Sequence, residues 1–186
     1  DKFIVPTYTF VASVEVGEYL GMEPILVDSK PTCFNIDLNM VEHKLKNDSS
    51  IKAIIPVHFA GELVDRNRLR FLADKYDVFI LEDAAQAYGV SYKGQHCGTF
   101  GDVSMISFFA DKTITMGEGA VVLTQNEGLY KKLLLLRNQG RPDSGTFIHP
   151  SLGMNFRVTD MQSGVGLAQS EKFPQVLEKK LKNYSL

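Results

Sequence analysis

Short apolar runs recur along the chain, and each of them predicts a β-strand. The runs are FIVP (3–6), PILVD (24–28), KAIIPVH (52–58), VFILEDA (78–84), VSMISFF (103–109) and AVVLT (120–124). The first four are almost wholly apolar, which is typical of strands that are covered on both faces of a sheet. Helical patterns separate these four strands, so we predict right-handed βαβ units and a parallel sheet.

Polar and glycine residues mark where the predicted helices begin and end. The predicted helices cover residues 11–20, 38–46, 65–76 and 127–138, and a last one follows Thr159. Asp37 is placed to cap the second helix, and Gln162, three positions after Thr159, completes a capping box. Gly21 and Gly140 follow two of the helices, where glycine commonly ends a helix.

After the fourth predicted strand, the alternation of strands and helices breaks down. Only about ten residues join the strand that ends at Phe109 to the strand that starts at Ala120, which leaves little room for a crossover helix. One of these two strands is therefore free to run antiparallel. Residues 140–156 are rich in glycine and proline, and a loop of this length is often functional.

The composition is that of an ordinary globular protein. The 186 residues are 44% hydrophobic and 23% charged, and the net charge is −2. This balance gives no electrostatic reason to bind nucleic acid or an anionic membrane. No apolar run approaches the roughly 18 residues that span a bilayer, and Cys33 and Cys97 are too few for a disulfide framework, so we expect a cytoplasmic protein with reduced thiols. The chain begins without a methionine and ends inside a charged helical pattern, so we expect it to be a fragment.

Polar side chains gather where several predicted strands end. They are His58, Glu82, Asp83, Gln86, Ser107 and Lys112. Ligands of open α/β sheets bind at the carboxyl ends of the strands. An acid at a strand end and a lysine 29 residues later fit either a pyridoxal phosphate site or a phosphoacceptor aspartate with a lysine nearby. The spacing leaves both chemistries open.

Plainer interpretations apply to each of these residues. Lysines are almost never fully buried, an aspartate at a strand end is most often a turn or capping residue, and His58 is more simply explained as a hydrogen-bonded histidine at the edge of the sheet. The cysteines and histidines lack the spacing of a metal site, so we expect no metal. The chain also has no GxSxG motif, Walker loop or GxGxxG motif.

Several longer motifs, taken together, resemble one enzyme family. They are VPTYTFVAS (5–13), AIIPVHFAG (53–61), EDAAQAYG (82–89), YKGQHCGTFGD (92–102), SFFADKTITMGEGAVV (107–122), LRNQG (136–140) and GMNFRVTDMQSGVGLAQ (153–169). Over nearly the whole chain, their order and content resemble the nucleotide-sugar aminotransferases of the DegT/DnrJ/EryC1/StrS family. The string KTITMGEG is especially similar to the perosamine-synthase branch, which aminates C4 of a GDP-linked 4-keto-6-deoxy sugar.

The resemblance implies a fold. It is the α/β fold of type I pyridoxal-phosphate-dependent transferases, which is aspartate-aminotransferase-like, with a mostly parallel mixed sheet flanked by helices. Residues 1–186 would form the cofactor-binding large domain, without the N-terminal phosphate loop and the C-terminal small domain. Asp111 and Ala120 depart from the family pattern, which usually has a small or amide residue and a glycine at these positions.

The resemblance also assigns roles in binding pyridoxal 5′-phosphate. It implies that Lys112 forms the Schiff base and that Asp83 pairs with the pyridinium nitrogen. It implies that Gln86 hydrogen-bonds the phenolic oxygen of the ring, that Phe10 stacks on the ring and that Ser107 contacts the phosphate.

The family is also expected to share its active sites between two subunits. The resemblance implies that Asn155 reaches the cofactor phosphate of the neighbouring subunit in a homodimer. The expected reaction moves an amino group from an amino acid, with glutamate as the family donor, to a nucleotide-linked 4-keto-6-deoxy sugar in deoxyamino-sugar and O-antigen biosynthesis.

Three alternatives remain beside this expectation. A sugar dehydratase of the same family carries histidine in place of the Schiff-base lysine, so Lys112 argues against it. A non-catalytic regulatory protein would keep the fold, and the set of Asp83, Gln86 and Lys112 argues against that reading. A receiver-like signalling domain would leave GMNFR and GEGA unexplained.

Overall fold

The computed structural model describes residues 1–143 and 145–185, and these form two compact units. The first unit comprises Asp1–Ser107 and Val121–Leu123, and the second comprises Phe108–Ala120 and Thr124–Leu186. The assignment of residues 1–186 to one cofactor-binding domain stays a prediction.

A six-stranded sheet forms the centre of the first unit. Its strands are β1 (Lys2–Pro6), β2 (Glu23–Val27), β3 (Ile51–Ile54), β4 (Phe79–Asp83), β7 (Val103–Ser107) and β8 (Ala120–Leu123), in the spatial order β2-β1-β3-β4-β7-β8. The pairs β1–β2, β1–β3, β3–β4 and β4–β7 are parallel. The predicted mostly parallel mixed sheet is therefore confirmed, and all six predicted strands lie in it.

Three helices of the first unit connect these strands, as predicted. They are α1 (Ala12–Glu18), α2 (Leu38–Asn47) and α3 (Arg66–Tyr76). The Asp37 side chain accepts a hydrogen bond from the Asn39 backbone N–H at 2.8 Å, which confirms the predicted cap of α2. Gly21 adopts φ +74° shortly after α1, a backbone conformation that glycine adopts without strain.

Apolar residues cover both faces of the sheet, as the continuous apolar runs predicted. One face packs against α2 and α3 through a large cluster that includes Ile4, Ile54 and Leu72. The other face carries a smaller cluster around Phe3 and Val5.

Gly17 lets α1 lie directly on this second face. A Cβ atom at position 17 would stand 2.2 Å from Cε1 of the Phe3 ring, far inside van der Waals contact. The missing side chain therefore sets how closely the helix approaches β1.

Two predicted strands end at least two residues earlier in the structure than in the sequence pattern. The run at 52–58 forms a strand only to Ile54, because Pro56 has no N–H to donate to a sheet ladder. The run at 103–109 ends at Ser107, and Phe108 and Phe109 belong to the second unit.

The sequence pattern also missed a small hairpin. It comprises β5 (Ser91–Tyr92) and β6 (Gln95–His96), which pair antiparallel. Lys93 and Gly94 form its turn with φ +49° and +77°, as a two-residue hairpin of type I′ requires.

The second unit contains α4 (Glu127–Arg137), α5 (Asp160–Tyr184) and the loop between them. Thr159 and Gln162 form the predicted capping box at the start of α5. The loop at 140–156 is confirmed for its described residues, and Ser144 lies outside them. None of the described helices has the length and apolar character needed to cross a membrane.

Candidate functional site

The order of the strands places a switch point between β1 and β3. The chain leaves β1 toward β2 on one side, and it leaves β3 toward β4 on the other side. The connections that follow these strands therefore diverge, and open α/β sheets bind their ligands in the crevice that results. We call the residues that follow the parallel strands β1, β2, β3, β4 and β7 the carboxyl edge.

Asp83 is the last residue of β4 and lies at this edge. Its backbone N–H donates to the Pro56 carbonyl at 2.9 Å, and its own carbonyl accepts from the His58 N–H at 3.0 Å. Its carboxylate accepts from the Ser13 hydroxyl at 2.7 Å and from the Ala85 N–H at 3.1 Å. The residue is half-buried, so the carboxylate is held in place while part of the residue stays open to solvent.

Gln86 lies on the turn that follows Asp83, as the motif predicted. Its side-chain oxygen accepts a hydrogen bond from the Ala60 N–H at 2.8 Å. Ala60 adopts φ +51°, a left-handed conformation that is uncommon for alanine. Because the oxygen is engaged, the amide nitrogen is the group of Gln86 that is oriented to donate.

Phe10 and Ser107 complete the set of predicted residues in the first unit. Phe10 lies between β1 and α1 with 76% of its surface exposed. Ser107 is the last residue of β7, which runs parallel to β4, so it ends at the same edge. The structure thus brings Phe10, Asp83, Gln86 and Ser107 to the carboxyl edge, while their roles toward a cofactor stay predictions.

Lys112 belongs to a loop of the second unit, residues 108–119. The Lys112 N–H donates to the Phe109 carbonyl at 3.1 Å, and the Phe108 N–H donates to the Gly119 carbonyl at 2.8 Å, which closes the loop. The side-chain amine lies 3.3 Å from the Asp111 carboxylate, and 23% of the side chain is exposed. The amine is therefore paired with a negative charge but remains accessible.

Asn155 lies on a different loop of the second unit and is exposed. Its side-chain oxygen accepts from Nε of Arg157 at 3.0 Å. A bridge to Asn138, at the end of α4, fixes its backbone. The engaged oxygen leaves the amide nitrogen as the group oriented to donate, and the Arg157 guanidinium adds a positive charge beside it.

Glu82 points into the protein interior, although it directly precedes Asp83. Its side chain is fully buried and accepts hydrogen bonds from Nε2 of His58 and from the backbone N–H groups of Gly98, Phe100 and Gly101. Successive residues of a strand point to opposite faces, which explains the different surroundings of two adjacent acids. Glu82 thus ties the segment 98–101 to β4.

The surroundings of Glu82 favour its ionised form. Burial alone would raise the pKa of Glu82, but the hydrogen bonds from His58 and from the backbone N–H groups of Gly101 and Phe100 lower it below the ordinary value. The Val64 N–H donates to Nδ1 of His58 at 3.2 Å, so the ring proton lies on Nε2 and faces Glu82. The interpretation of His58 as a hydrogen-bonded histidine is confirmed.

The fold brings Cys97 to the same buried place, which the spacing of the sequence did not predict. His58, Glu82 and Cys97 hold possible metal-ligand atoms within 4.8 Å of one another. Burial raises the pKa of the Cys97 thiol to about 12, with a further contribution from the Glu82 charge. Metals bind the thiolate, and the facing atoms of His58 and Glu82 are already hydrogen-bonded, so we interpret the three residues as part of the core.

Three aromatic rings meet at the carboxyl edge, and the sequence pattern did not single them out as a group. Tyr8 stacks on Phe34 with ring centres 4.8 Å apart, and it meets Phe59 edge-on at 4.7 Å. Tyr8 follows β1, Phe34 follows β2 and Phe59 follows β3. Their convergence forms an apolar wall beside the switch point.

Comparison with known proteins identifies relatives along the whole chain. A model of the DegT/DnrJ/EryC1/StrS aminotransferase family matches residues 1–186. GDP-perosamine synthase from Escherichia coli O157:H7 is 39% identical over 180 residues, which cover 97% of this chain and 49% of that protein. The chain spans about half the length of the curated relatives it matches.

Solved structures share the fold as well. DesI, determined in the presence of its TDP-sugar product, superposes with a TM-score of 0.90 at 28% identity, over 99% of this chain and 46% of that one. The PLP form of Spr1654 from Streptococcus pneumoniae superposes with a TM-score of 0.86 at 29% identity, over 94% of this chain and 50% of that one.

Proposed function

We propose, because the chain belongs to the DegT/DnrJ/EryC1/StrS aminotransferase family, that it is the central part of a nucleotide-sugar aminotransferase. The protein would move an amino group from glutamate to a GDP-linked 4-keto-6-deoxy sugar. The observation that carries the proposal is the Asp83 carboxylate, which is fixed through both oxygens at the end of β4 and is still half open. The GDP-linked substrate is suggested by relatives named GDP-perosamine synthase.

The family depends on pyridoxal 5′-phosphate, and the residues at the carboxyl edge fit this cofactor. A carboxylate, an amide nitrogen that can donate and an exposed aromatic ring match a flat heterocycle with a protonated nitrogen and an ionised oxygen. Bound pyridoxal phosphate supplies an electron sink for the carbon that carries the transferred amino group.

In the proposed reaction, Asp83 would act electrostatically. Its negative charge would hold a proton on the ring nitrogen, which keeps the ring electron-poor. The backbone bonds to Pro56 and His58 hold the end of β4 in place while this charge acts. Gln86 would donate its amide N–H to the ring oxygen, and Phe10 would cover one face of the ring.

In the proposed reaction, Lys112 would bind the cofactor covalently and would transfer protons. Its amine would attach the cofactor, and after release it would carry a proton to and from the donor carbon. Asp111, 3.3 Å from the amine, provides a negative charge beside it. This acid is one of the two departures from the family pattern.

Ser107 and Asn155 would bind the cofactor phosphate. A serine hydroxyl and an amide N–H are both suitable donors to phosphate oxygens. We propose that Asn155 acts across the interface of a homodimer, with the Arg157 guanidinium adding positive charge. Each of the two active sites would then require both subunits.

The experiment that tests this function uses the full-length protein. It is incubated with pyridoxal phosphate, glutamate labelled with ¹⁵N at the amino group and a panel of GDP-, UDP- and TDP-linked keto sugars. We expect the label to appear in a GDP-linked sugar by mass spectrometry, and we expect Lys112→Ala to abolish it. Loss of a sugar hydroxyl without gain of the label would support the dehydratase alternative, and no conversion of any sugar would contradict the proposal.

A further inference from the structure

Ser13 places a buried hydroxyl against Asp83. Its Oγ lies 2.7 Å from Oδ2 of Asp83, and only 7% of the residue is exposed. An ionised carboxylate can only accept hydrogen bonds, so Ser13 is the donor. Hydrogen bonds to a charged group are shorter and stronger than neutral ones, so this bond fixes the carboxylate oxygen.

Thr9 reinforces the direction of this hydrogen bond. Its hydroxyl donates to Oγ of Ser13 at 2.9 Å. Because Ser13 accepts from Thr9, its own proton is available for the carboxylate, and the bonds run in one direction from Thr9 through Ser13 to Asp83. The other oxygen of Asp83 accepts a hydrogen bond from the Ala85 N–H. Hydrogen bonds to both oxygens therefore fix the orientation of the carboxylate plane.

The same serine also contacts Phe10. The Ser13 backbone N–H donates to the Phe10 carbonyl at 3.1 Å. One residue therefore holds the Asp83 carboxylate through its side chain and the Phe10 segment through its main chain. The contact of Gly17 with Phe3, one turn further along α1, seats the helix that carries Ser13 directly on the sheet.

We infer that Ser13 is a positioning residue for the proposed transamination, with Thr9 supporting it. Its hydroxyl holds the Asp83 carboxylate in the orientation that receives a protonated ring nitrogen, and it stabilises the negative charge there. The inference rests on the proposed function, because it concerns the group that Asp83 is proposed to bind.

A double-mutant cycle in the full-length protein tests this role. Ser13→Ala should lower kcat roughly tenfold, as the loss of a hydrogen bond to a charged group predicts. It should weaken cofactor binding and shift the pH dependence of the visible absorption of the bound cofactor. Ser13→Thr keeps the hydroxyl and should restore all three. In an Asp83→Asn background, Ser13→Ala should change kcat by less than about twofold, because the charge that it serves is gone.

Thr9→Val provides a second, milder variant, because it leaves the Ser13 hydroxyl in place and removes only its donor. Thr9→Val should shift the pH dependence of the visible absorption of the bound cofactor in the same direction as Ser13→Ala, by a smaller amount. If Ser13→Ala does not fold, the result for Thr9→Val tests the role of Ser13. Thermal unfolding of each variant without cofactor shows which variants are folded.

The possible outcomes separate this inference from the proposed function. An impaired Asp83→Asn variant together with a normal Ser13→Ala variant would overturn the role of Ser13 alone. Equal effects of Ser13→Ala with and without the Asp83 carboxylate would also overturn it. If Asp83→Asn alone leaves kcat and the absorption unchanged, the assignment of Asp83 fails, and the inference about Ser13 fails with it.

Discussion

Nε2 of His58 lies 2.9 Å from Oε2 of Glu82, and both side chains are almost completely shielded from solvent. This buried pair lies directly behind the residue proposed to bind the cofactor nitrogen. The Glu82 carboxylate also accepts hydrogen bonds from three backbone N–H groups of residues 98–101. It therefore connects β4 to the segment that follows the β5–β6 hairpin.

Replacing Glu82 by glutamine should destabilise the protein strongly. The glutamine amide would place a donor against groups that already donate, so we expect Glu82→Gln to lower the free energy of unfolding by about 3 kcal/mol. Unfolding in urea measures the change. Glu42→Gln, which removes an acid paired with Arg68 and Lys75 at the surface, is the control and should change little. Equal stabilities of the two variants would contradict the role of Glu82.

The lowered pKa of Glu82 predicts a loss of stability in acid. Its ordinary value is 4.5, so below this pH the unfolded chain takes up a proton that the folded protein does not bind. The stabilisation is therefore complete above pH 4.5 and is lost as the pH falls through the lower pKa of the folded state. Glu82→Gln should show a shallower fall of unfolding free energy below pH 4.5, as measured by urea titrations at several pH values. A slope as steep as that of the unmodified protein would exclude this contribution.

Lys112 should be the residue that carries the cofactor. Borohydride reduction of the loaded full-length protein, followed by peptide mapping, should place the label on Lys112. Lys112→Ala should lose both the label and turnover. Lys180→Ala is the control, because Lys180 contacts Thr113 of the same loop at 3.1 Å and should keep the label. A label on another lysine would refute the assignment.

Asp83 should set the electronic state of the cofactor more than its binding. Asp83→Asn keeps the shape and removes the charge, so we expect kcat to fall by about 10²-fold, or about 3 kcal/mol of barrier. Cofactor affinity should fall less. Asp74→Asn, which removes a surface acid paired with Arg70, is a control that should leave kcat unchanged. A near-normal kcat for Asp83→Asn would exclude the proposed role.

Mixed dimers should show whether Asn155 acts across an interface. Lys112→Ala and Asn155→Ala proteins should each be impaired, and random mixing should restore about a quarter of normal activity. Half of the dimers are mixed, and half of their sites keep both residues. If heterodimers form without recovery, Asn155 acts within its own subunit.

The sequence predicted all six strands of the large sheet but only some of the contacts at the candidate site. Apolar runs revealed all six strands, both the central ones such as β1, which is almost wholly buried, and the edge strands β2 and β8, which are partly exposed. They did not reveal that β3 stops at Ile54, because the apolar run continues past Pro56. The two residues of β5 and of β6 are too short for a periodic pattern to appear.

Contacts between distant residues could not be predicted from local patterns. Ser13 and Asp83 are 70 positions apart, and His58 and Glu82 are 24 positions apart. Glu82 and Asp83 both look like acids at a strand end in the sequence. The alternation of side chains along β4 separates them in the structure, one into the core and one toward the crevice.

The close packing of α1 against Phe3 of the sheet determines which positions of this helix can be changed. Val16 and Glu18 are exposed, so a library could vary them to change solubility or attach a label. Position 17 is closed to such changes, because even the methyl group of alanine would lie 2.2 Å from Cε1 of the Phe3 ring. An alanine there would push the helix outward. On the inferred role of Ser13, which lies one helical turn away, we expect this displacement to be detected as weaker binding of the cofactor.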